Sequence, residues 1–216
     1  MIAVVPTILV PGQQAYDRRL AALKAHFVRA HLDVLNDTLV SGKSFCNPAY
    51  IGARAVGLQF EVHVMVDCKN YNLAQWNRPW VEKIIVHAEA SGADSCLASA
   101  HSWGKRVFVA LNPGTDPHVI TRFRSNVDGV MVMTVEPGRN AAPFQTQMLD
   151  VIKKIRSEYP LLELEADGGV SNETVQALLD AGITTVAVGS YLHNDRVEER
   201  LFDLIGIIEH FEEARK

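Results

Sequence analysis

The chain has 216 residues, 48% of them hydrophobic and 21% charged, enough for one sizeable core and short for two domains. Lys and Arg number 21 against 25 Asp and Glu, a net charge of −4 that lacks the basic footprint of a nucleic-acid binder. The apolar runs fall far below the ~20 residues of a membrane span, the three cysteines (Cys46, Cys68, Cys96) form no CxxC pair, and no basic leader precedes Ile2. The expectation is a soluble, reduced, cytoplasmic protein with no disulfide framework, structural zinc, nucleic acid or membrane partner.

In chain order, an apolar run over 2–9 predicts a first strand, and Tyr16, Leu20 and Leu23 predict an amphipathic helix over 13–25. Strand-like runs follow over 27–34, 58–66, 83–87, 106–111 and 128–135. A helical pattern over 144–158 leads to a strand over 161–166, a helix over 172–181, a strand over 184–188 and a last helix over 195–213. Several runs are apolar almost without interruption, as in parallel strands buried on both faces. Eight strand–helix units in 216 residues leave 27 residues for each, which predicts a single-domain (β/α)8 TIM barrel over 1–216. An open doubly wound sheet is the rival, but it usually supplies about six strands.

In such a barrel the chemistry sits at the carboxyl ends of the strands. The second strand reads His31-Leu32-Asp33, and strand alternation puts His31 and Asp33 on one face, about 6.6 Å apart. The third reads Glu61-Val62-His63-Val64-Met65, with Glu61, His63 and Met65 sharing a face. The fourth ends His87-Ala88-Glu89 and the seventh ends Glu165-Ala166-Asp167. Singly, each reads as an ordinary satisfied polar residue or a helix cap. Together, His31, Asp33, His63 and Asp167 make an N/O donor set suited to Zn, Fe(II), Mn or Co with a position left open for substrate. Gly168-Gly169 after the seventh strand and Gly189-Ser190 after the eighth fall where barrels often grip phosphate through backbone N–H groups, although glycine also simply makes tight turns.

These residues belong to a longer series: Val5-Pro6-Thr7-Ile8-Leu9, His31-Leu32-Asp33-Val34, Val62-His63-Val64-Met65-Val66, His87-Ala88-Glu89-Ala90, Ala110-Leu111-Asn112-Pro113-Gly114-Thr115, Val132-Met133-Thr134-Val135-Glu136-Pro137-Gly138, Glu165-Ala166-Asp167-Gly168-Gly169-Val170 and Val188-Gly189-Ser190. In this order the chain resembles the ribulose-phosphate 3-epimerase family along essentially its full length. The resemblance implies a barrel of the ribulose-phosphate-binding type and a homo-oligomeric enzyme of the pentose phosphate pathway. Its substrate would be a sugar phosphate, D-ribulose 5-phosphate, inverted at C3 to D-xylulose 5-phosphate. It further implies one divalent metal ion on His31, Asp33, His63 and Asp167, with Asp33 and Asp167 as the two acid–base carboxylates. Substrate contacts would fall to Thr7, His63, Met65, Met133, Gly138, Gly168, Gly169, Gly189 and Ser190.

The departures cluster where substrate is held. The family's Pro-Gly-Phe-Gly-Gly-Gln loop after strand six is Pro137-Gly138-Arg139-Asn140-Ala141-Ala142, so Arg139 is a candidate source of phosphate charge. The family's Met-Asp-Gly is Leu35-Asn36-Asp37, residues 38–47 also differ, and the family's serine after strand one is Thr7. Two further readings therefore stand: an epimerase for another ketose phosphate or a modified sugar, and a non-catalytic sugar-phosphate-binding paralogue. An aldolase or decarboxylase on the same barrel is disfavoured, because no Asp-x-Lys-x-x-Asp motif closes a strand. His87 and Glu89 read equally as support for the site or as strand-end packing. The remaining histidines, 26, 101, 118, 193 and 210, read as surface or helix residues.

Overall fold

The eight apolar runs become eight parallel strands in a computed structural model, which describes residues 2–138, 142–192 and 196–215. They are β1 (Ala3–Ile8), β2 (Arg29–Leu35), β3 (Gln59–Met65), β4 (Val81–His87), β5 (Arg106–Leu111), β6 (Gly129–Met133), β7 (Glu163–Asp167) and β8 (Thr185–Val188). Each pairs with the next, and Ala3 beside Thr185 closes β1 onto β8, giving the expected (β/α)8 TIM barrel. Arg139 and His193 lie outside the described residues.

The helices are α1 (Gln13–Lys24), α2 (Pro48–Arg54), α3 (Ala93–Ser102), α4 (Ile120–Phe123), α5 (Met148–Glu158), α6 (Val175–Ala181) and α7 (Val197–Glu213). In α1, Tyr16, Leu20 and Leu23 are buried as the pattern predicts. Two helices of more than one turn escaped the sequence reading. In α3 the buried residues are Ala93, Cys96, Leu97 and Ala100, a helical spacing whose small side chains give little hydrophobic contrast. In α2, Asn47 caps Tyr50 N–H and Pro48 opens the helix, a start signal on a segment too short to show a period. Elsewhere the boundaries shift. The helix expected from 144 begins at Met148, and before it Gln145 N–H ties the chain to Thr134 O at 2.8 Å. The seventh strand starts at Glu163, after a fully solvated Leu161. Among the described residues no helix is long and apolar enough to cross a membrane.

Period-2 alternation divides the strand side chains between two interiors. Leu32, Val34, Val62, Val64, Ile84, Val86, Val107, Val109, Val130 and Val132 face the helices and join the main core. Their neighbours point into the barrel, where β4, β5 and β6 supply an apolar wall of Ile85, Phe108, Ala110, Met131 and Met133. Opposite it, β2, β3 and β7 supply His31, Asp33, Glu61, His63, Glu165 and Asp167, all buried. The barrel lumen is thus half apolar and half ionisable, and the ionisable half carries the site.

Candidate active site and metal centre

The strand register sets this half in place. Thr7 pairs with His31, His31 with Glu61 and Asp33 with His63, so β1, β2 and β3 deliver their polar side chains at one level. Met133 pairs with Asp167 across β6 and β7. The donor atoms of His31, Asp33, His63 and Asp167 all lie within 4.8 Å of one another. Asp33 Oδ1 is 3.2 Å from His31 Nε2 and 2.8 Å from His63 Nδ1, and Asp167 Oδ2 is 3.7 Å from the same His63 nitrogen. Two imidazole nitrogens and two carboxylates, buried and convergent, fit a divalent ion such as Zn, Fe(II), Mn or Co.

The far side of each imidazole is also held. His31 Nδ1 donates to Glu61 Oε1 at 2.7 Å, leaving Nε2 to face Asp33. His63 Nε2 meets His87 Nε2 at 2.8 Å, and His87 Nδ1 lies 3.3 Å from Glu89 Oε2. In the metal-free protein His63 Nδ1–H faces Asp33; on metal binding, a proton donated from His63 Nε2 to His87, with His87 Nδ1–H given to Glu89, would leave His63 Nδ1 free as a ligand. Glu89 is itself fixed, accepting from Asn112 N–H at 3.0 Å and from the Thr115 hydroxyl. The strand-four pair therefore extends into the site through hydrogen bonds.

Burial splits the two aspartates. Burial alone opposes charge on Asp33, but hydrogen bonds and charge from His31, then His63, outweigh it and push its carboxyl well below the usual range. Asp167 is pushed up to about 8 by burial and by the negative charge of Asp33. His31 is raised against the effect of burial, chiefly by Asp33, whereas His63 is lowered to about 4 by burial and by His87. One carboxylate ionised beside one protonated is the arrangement that acid–base pairs use. A metal must displace the protons on His31 and Asp167, so its affinity should climb with pH over the range leading to about 8, the value for Asp167. The slope should approach roughly tenfold per pH unit for each proton released. Calorimetric titration of the metal-free protein with Mn or Zn in buffers of different ionisation enthalpy measures both; an affinity flat over the two units below that value contradicts the split.

A cavity opens above these carboxylates. Thr7, Asp33, Met65, Met133, Gly138, Asp167, Gly168, Gly169, Gly189 and Ser190 all line it, while His31 and His63 lie fully buried beneath. The Thr7 hydroxyl is buried and has no hydrogen-bond partner among the described residues. Gly168 and Gly169 have φ of +105° and +63°, and a Cβ on Gly168 would strike Val135 at 2.3 Å, so this turn requires glycine. Thr134 secures it by donating its hydroxyl to Asp167 O at 3.1 Å and to Gly168 O. Gly189 has ordinary backbone and room for a Cβ, so its lack of a side chain serves no turn. After β2, Ser44 donates to Asp33 O at 2.7 Å, and Asp37, at φ +72°, accepts from Gly42 N–H. The divergent residues 36–47 thus form their own hydrogen-bonded loop.

Two buried cations were not foreseen. Lys83 begins the inward row of β4 that ends at His87, and its ammonium lies 2.6 Å from Glu61 and 2.7 Å from Glu165. It closes no strand, in keeping with the missing aldolase motif, but the 83, 85, 87 alternation would have placed it in the lumen. Arg19 sits on the buried face of α1, beneath Thr7 and Gly189. Among the described residues, His26, His101, His118 and His210 are exposed, as expected.

The chain is 33% identical over 143 residues to ribulose-phosphate 3-epimerase of Schizosaccharomyces pombe, covering 66% of this chain and 63% of that protein. Against the Bacillus subtilis ribulose-phosphate 3-epimerase it is 28% identical over 207 residues, covering 91% and 95%. The fold resembles 3-hexulose-6-phosphate synthase from Salmonella typhimurium, with a TM-score of 0.71 at 14% identity over 98% of this chain and 100% of that one. It also resembles orotidine 5'-monophosphate decarboxylase from Sulfolobus solfataricus, with a TM-score of 0.65 at 13% identity over the whole of both. At such identities the likeness concerns the barrel alone. Residues 3–193 match the ribulose-phosphate 3 epimerase family as a whole. Fold, donor cluster and full-length motifs converge, and the chain belongs to the ribulose-phosphate 3-epimerase family.

Proposed function

We propose that the chain is a metal-dependent carbohydrate epimerase that inverts C3 of a ketose phosphate, interconverting D-ribulose 5-phosphate and D-xylulose 5-phosphate. The observation that carries this reading is the convergence of His31, Asp33, His63 and Asp167 within 4.8 Å under a cavity, in a chain of this family. A proton beside a ketone is too weakly acidic for an unaided carboxylate to remove quickly. A divalent ion on these four ligands would act as a Lewis acid for the negative charge that develops on the ketose oxygens.

Inversion needs a base on each face of the planar, C3-deprotonated sugar. Asp33, held ionised by His31 and His63, takes the proton from one face. Asp167, the second carboxylate of the pair, returns one to the other face, and the roles exchange in the reverse direction. Met65 and Met133, both buried, provide an apolar surface that keeps water from the intermediate. The unpartnered Thr7 hydroxyl supplies a hydrogen bond to a sugar oxygen. Gly168, Gly169, Gly189 and Ser190 offer backbone N–H groups to the phosphate.

A second reading, a related ketose phosphate or modified sugar, is favoured by the separately folded loop of residues 36–47 beside Asp33. Turnover of a panel of ketose 5- and 6-phosphates, each with Zn, Fe(II), Mn and Co, decides between them. Fastest epimerisation of D-ribulose 5-phosphate supports the first reading and fastest turnover of another ketose the second. No turnover with any metal overturns both in favour of a binding protein.

A further inference from the structure

We propose that Arg19 is a specificity residue for the phosphorylated end of the substrate, its buried positive charge acting from behind the backbone of Thr7 and Gly189. This rests on the reading of Gly168, Gly169, Gly189 and Ser190 as the phosphate grip.

Arg19 occupies the face of α1 that carries Tyr16, Leu20 and Leu23, and it is 5% exposed. Its guanidinium donates to Thr7 O through Nε at 3.1 Å and Nη2 at 3.0 Å, to Leu192 O through Nη1 at 2.5 Å, and to Gly189 O through Nη2 at 3.4 Å. Every acceptor is a neutral carbonyl. Among the described residues no carboxylate pairs with it, unlike Lys83, which has two. A buried cation is ordinarily matched by an anion. Among the described residues none is supplied, and the carbonyls it grips belong on two sides to residues lining the cavity.

The cavity needs such a charge. Its described lining contains Asp33 and Asp167 and no Lys or Arg, and the whole chain carries a net charge of −4. The metal proposed above would offset the two carboxylates at the reacting end, but the lining around Gly189 and Ser190 gives a phosphate no side-chain cation among the described residues. Behind a single layer of backbone, Arg19 acts through protein rather than water, where charge is poorly screened. It also orients the grip. The Gly189–Ser190 peptide bond is trans, so a Gly189 carbonyl turned toward Arg19 directs the Ser190 N–H the opposite way.

A pure clamp between β1 and the end of β8 would explain the hydrogen bonds but would not need a permanent charge. Arg19→Gln keeps amide donors and removes the charge, whereas Arg19→Lys keeps the charge with fewer donors. With the metal-loaded protein, calorimetry with inorganic phosphate and steady-state kinetics with D-ribulose 5-phosphate separate the two roles. We expect Arg19→Gln to weaken phosphate binding and raise KM by about tenfold, with kcat little changed and binding of unphosphorylated D-ribulose unaffected. Arg19→Lys should stay near wild type. Equal weakening in both variants, or none in Arg19→Gln, overturns the proposal and leaves Arg19 a clamp. Absence of phosphate binding in the wild type removes the grip itself and the proposal with it. Should Arg19→Gln fail to fold, Arg19→His makes the comparison within one protein. Its sulfate affinity should fall, relative to wild type, as pH rises through the imidazole range, and parallel profiles overturn the proposal.

Discussion

Asp33→Asn and Asp167→Asn should each lower epimerisation by about a thousandfold or more, the contribution expected of a positioned acid–base group. The two losses should differ in kind. With a base on each face, a variant that keeps one carboxylate still removes the proton that faces it. Proton NMR in deuterium oxide follows this as loss of the C3 hydrogen. Any exchange that survives should be confined to one epimer in Asp33→Asn and to the other in Asp167→Asn, with no interconversion in either. Both residues also belong to the ligand cluster, so metal content must be measured on the same samples. Loss of exchange alongside full metal occupancy places the defect in proton transfer. Interconversion at the wild-type rate in either variant would rule out the two-base mechanism.

The donor cluster was legible in the sequence because its information is local. Alternation along a strand put His31 with Asp33 and Glu61 with His63, and the barrel then required their strands to end together. The strands were legible for the same reason: β-branched runs buried on both faces are conspicuous. What escaped depends on distant pairing or weak contrast. Arg19 follows the helical spacing of Tyr16, Leu20 and Leu23, but a charged side chain on a buried face is recognised only when its carbonyl partners, 12 to 173 residues away, are in place. α3 buries alanines and a cysteine, which hydrophobic patterning barely registers. The family's glycine-rich loop after strand six, replaced here from Arg139 onward, falls partly outside the described residues, so that substitution is read from sequence alone.

Lys83 is the cation whose loss should cost most. Its ammonium bridges Glu61 and Glu165 inside the lumen, with all three side chains at most 2% exposed. Glu165 pairs with Lys83 across 82 positions of sequence, a contact that exists only once the barrel has closed. Removing one partner from a buried ionic cluster strands the others, and the typical cost is about 3–5 kcal/mol. Lys83→Met preserves most of the volume, so the loss should be electrostatic, read as a lower denaturation midpoint of the metal-free protein at neutral pH. The sign of the pH dependence follows from the shifts. Lys83 lowers the Glu61 carboxyl below its ordinary 4.5 against the effect of burial. Glu61 therefore stabilises the fold above the unfolded carboxylate range, and that contribution is lost as pH falls through its lower folded value. The ammonium of Lys83 is raised by Glu165 and Glu61 despite burial, so its contribution holds below its unfolded value and is lost as pH rises through the folded one. In Lys83→Met the two carboxylates are left with His31 alone as a cationic neighbour, and one of them should take up a proton as the solution is acidified. The deficit should therefore be largest at neutral pH and shrink toward the carboxylate range. Adding Glu165→Gln to Lys83→Met removes one of the stranded charges and should restore much of the lost stability. A Lys83→Met protein as stable as wild type at neutral pH, or a deficit unaffected by Glu165→Gln, would show that the cluster does not hold the lumen together through charge.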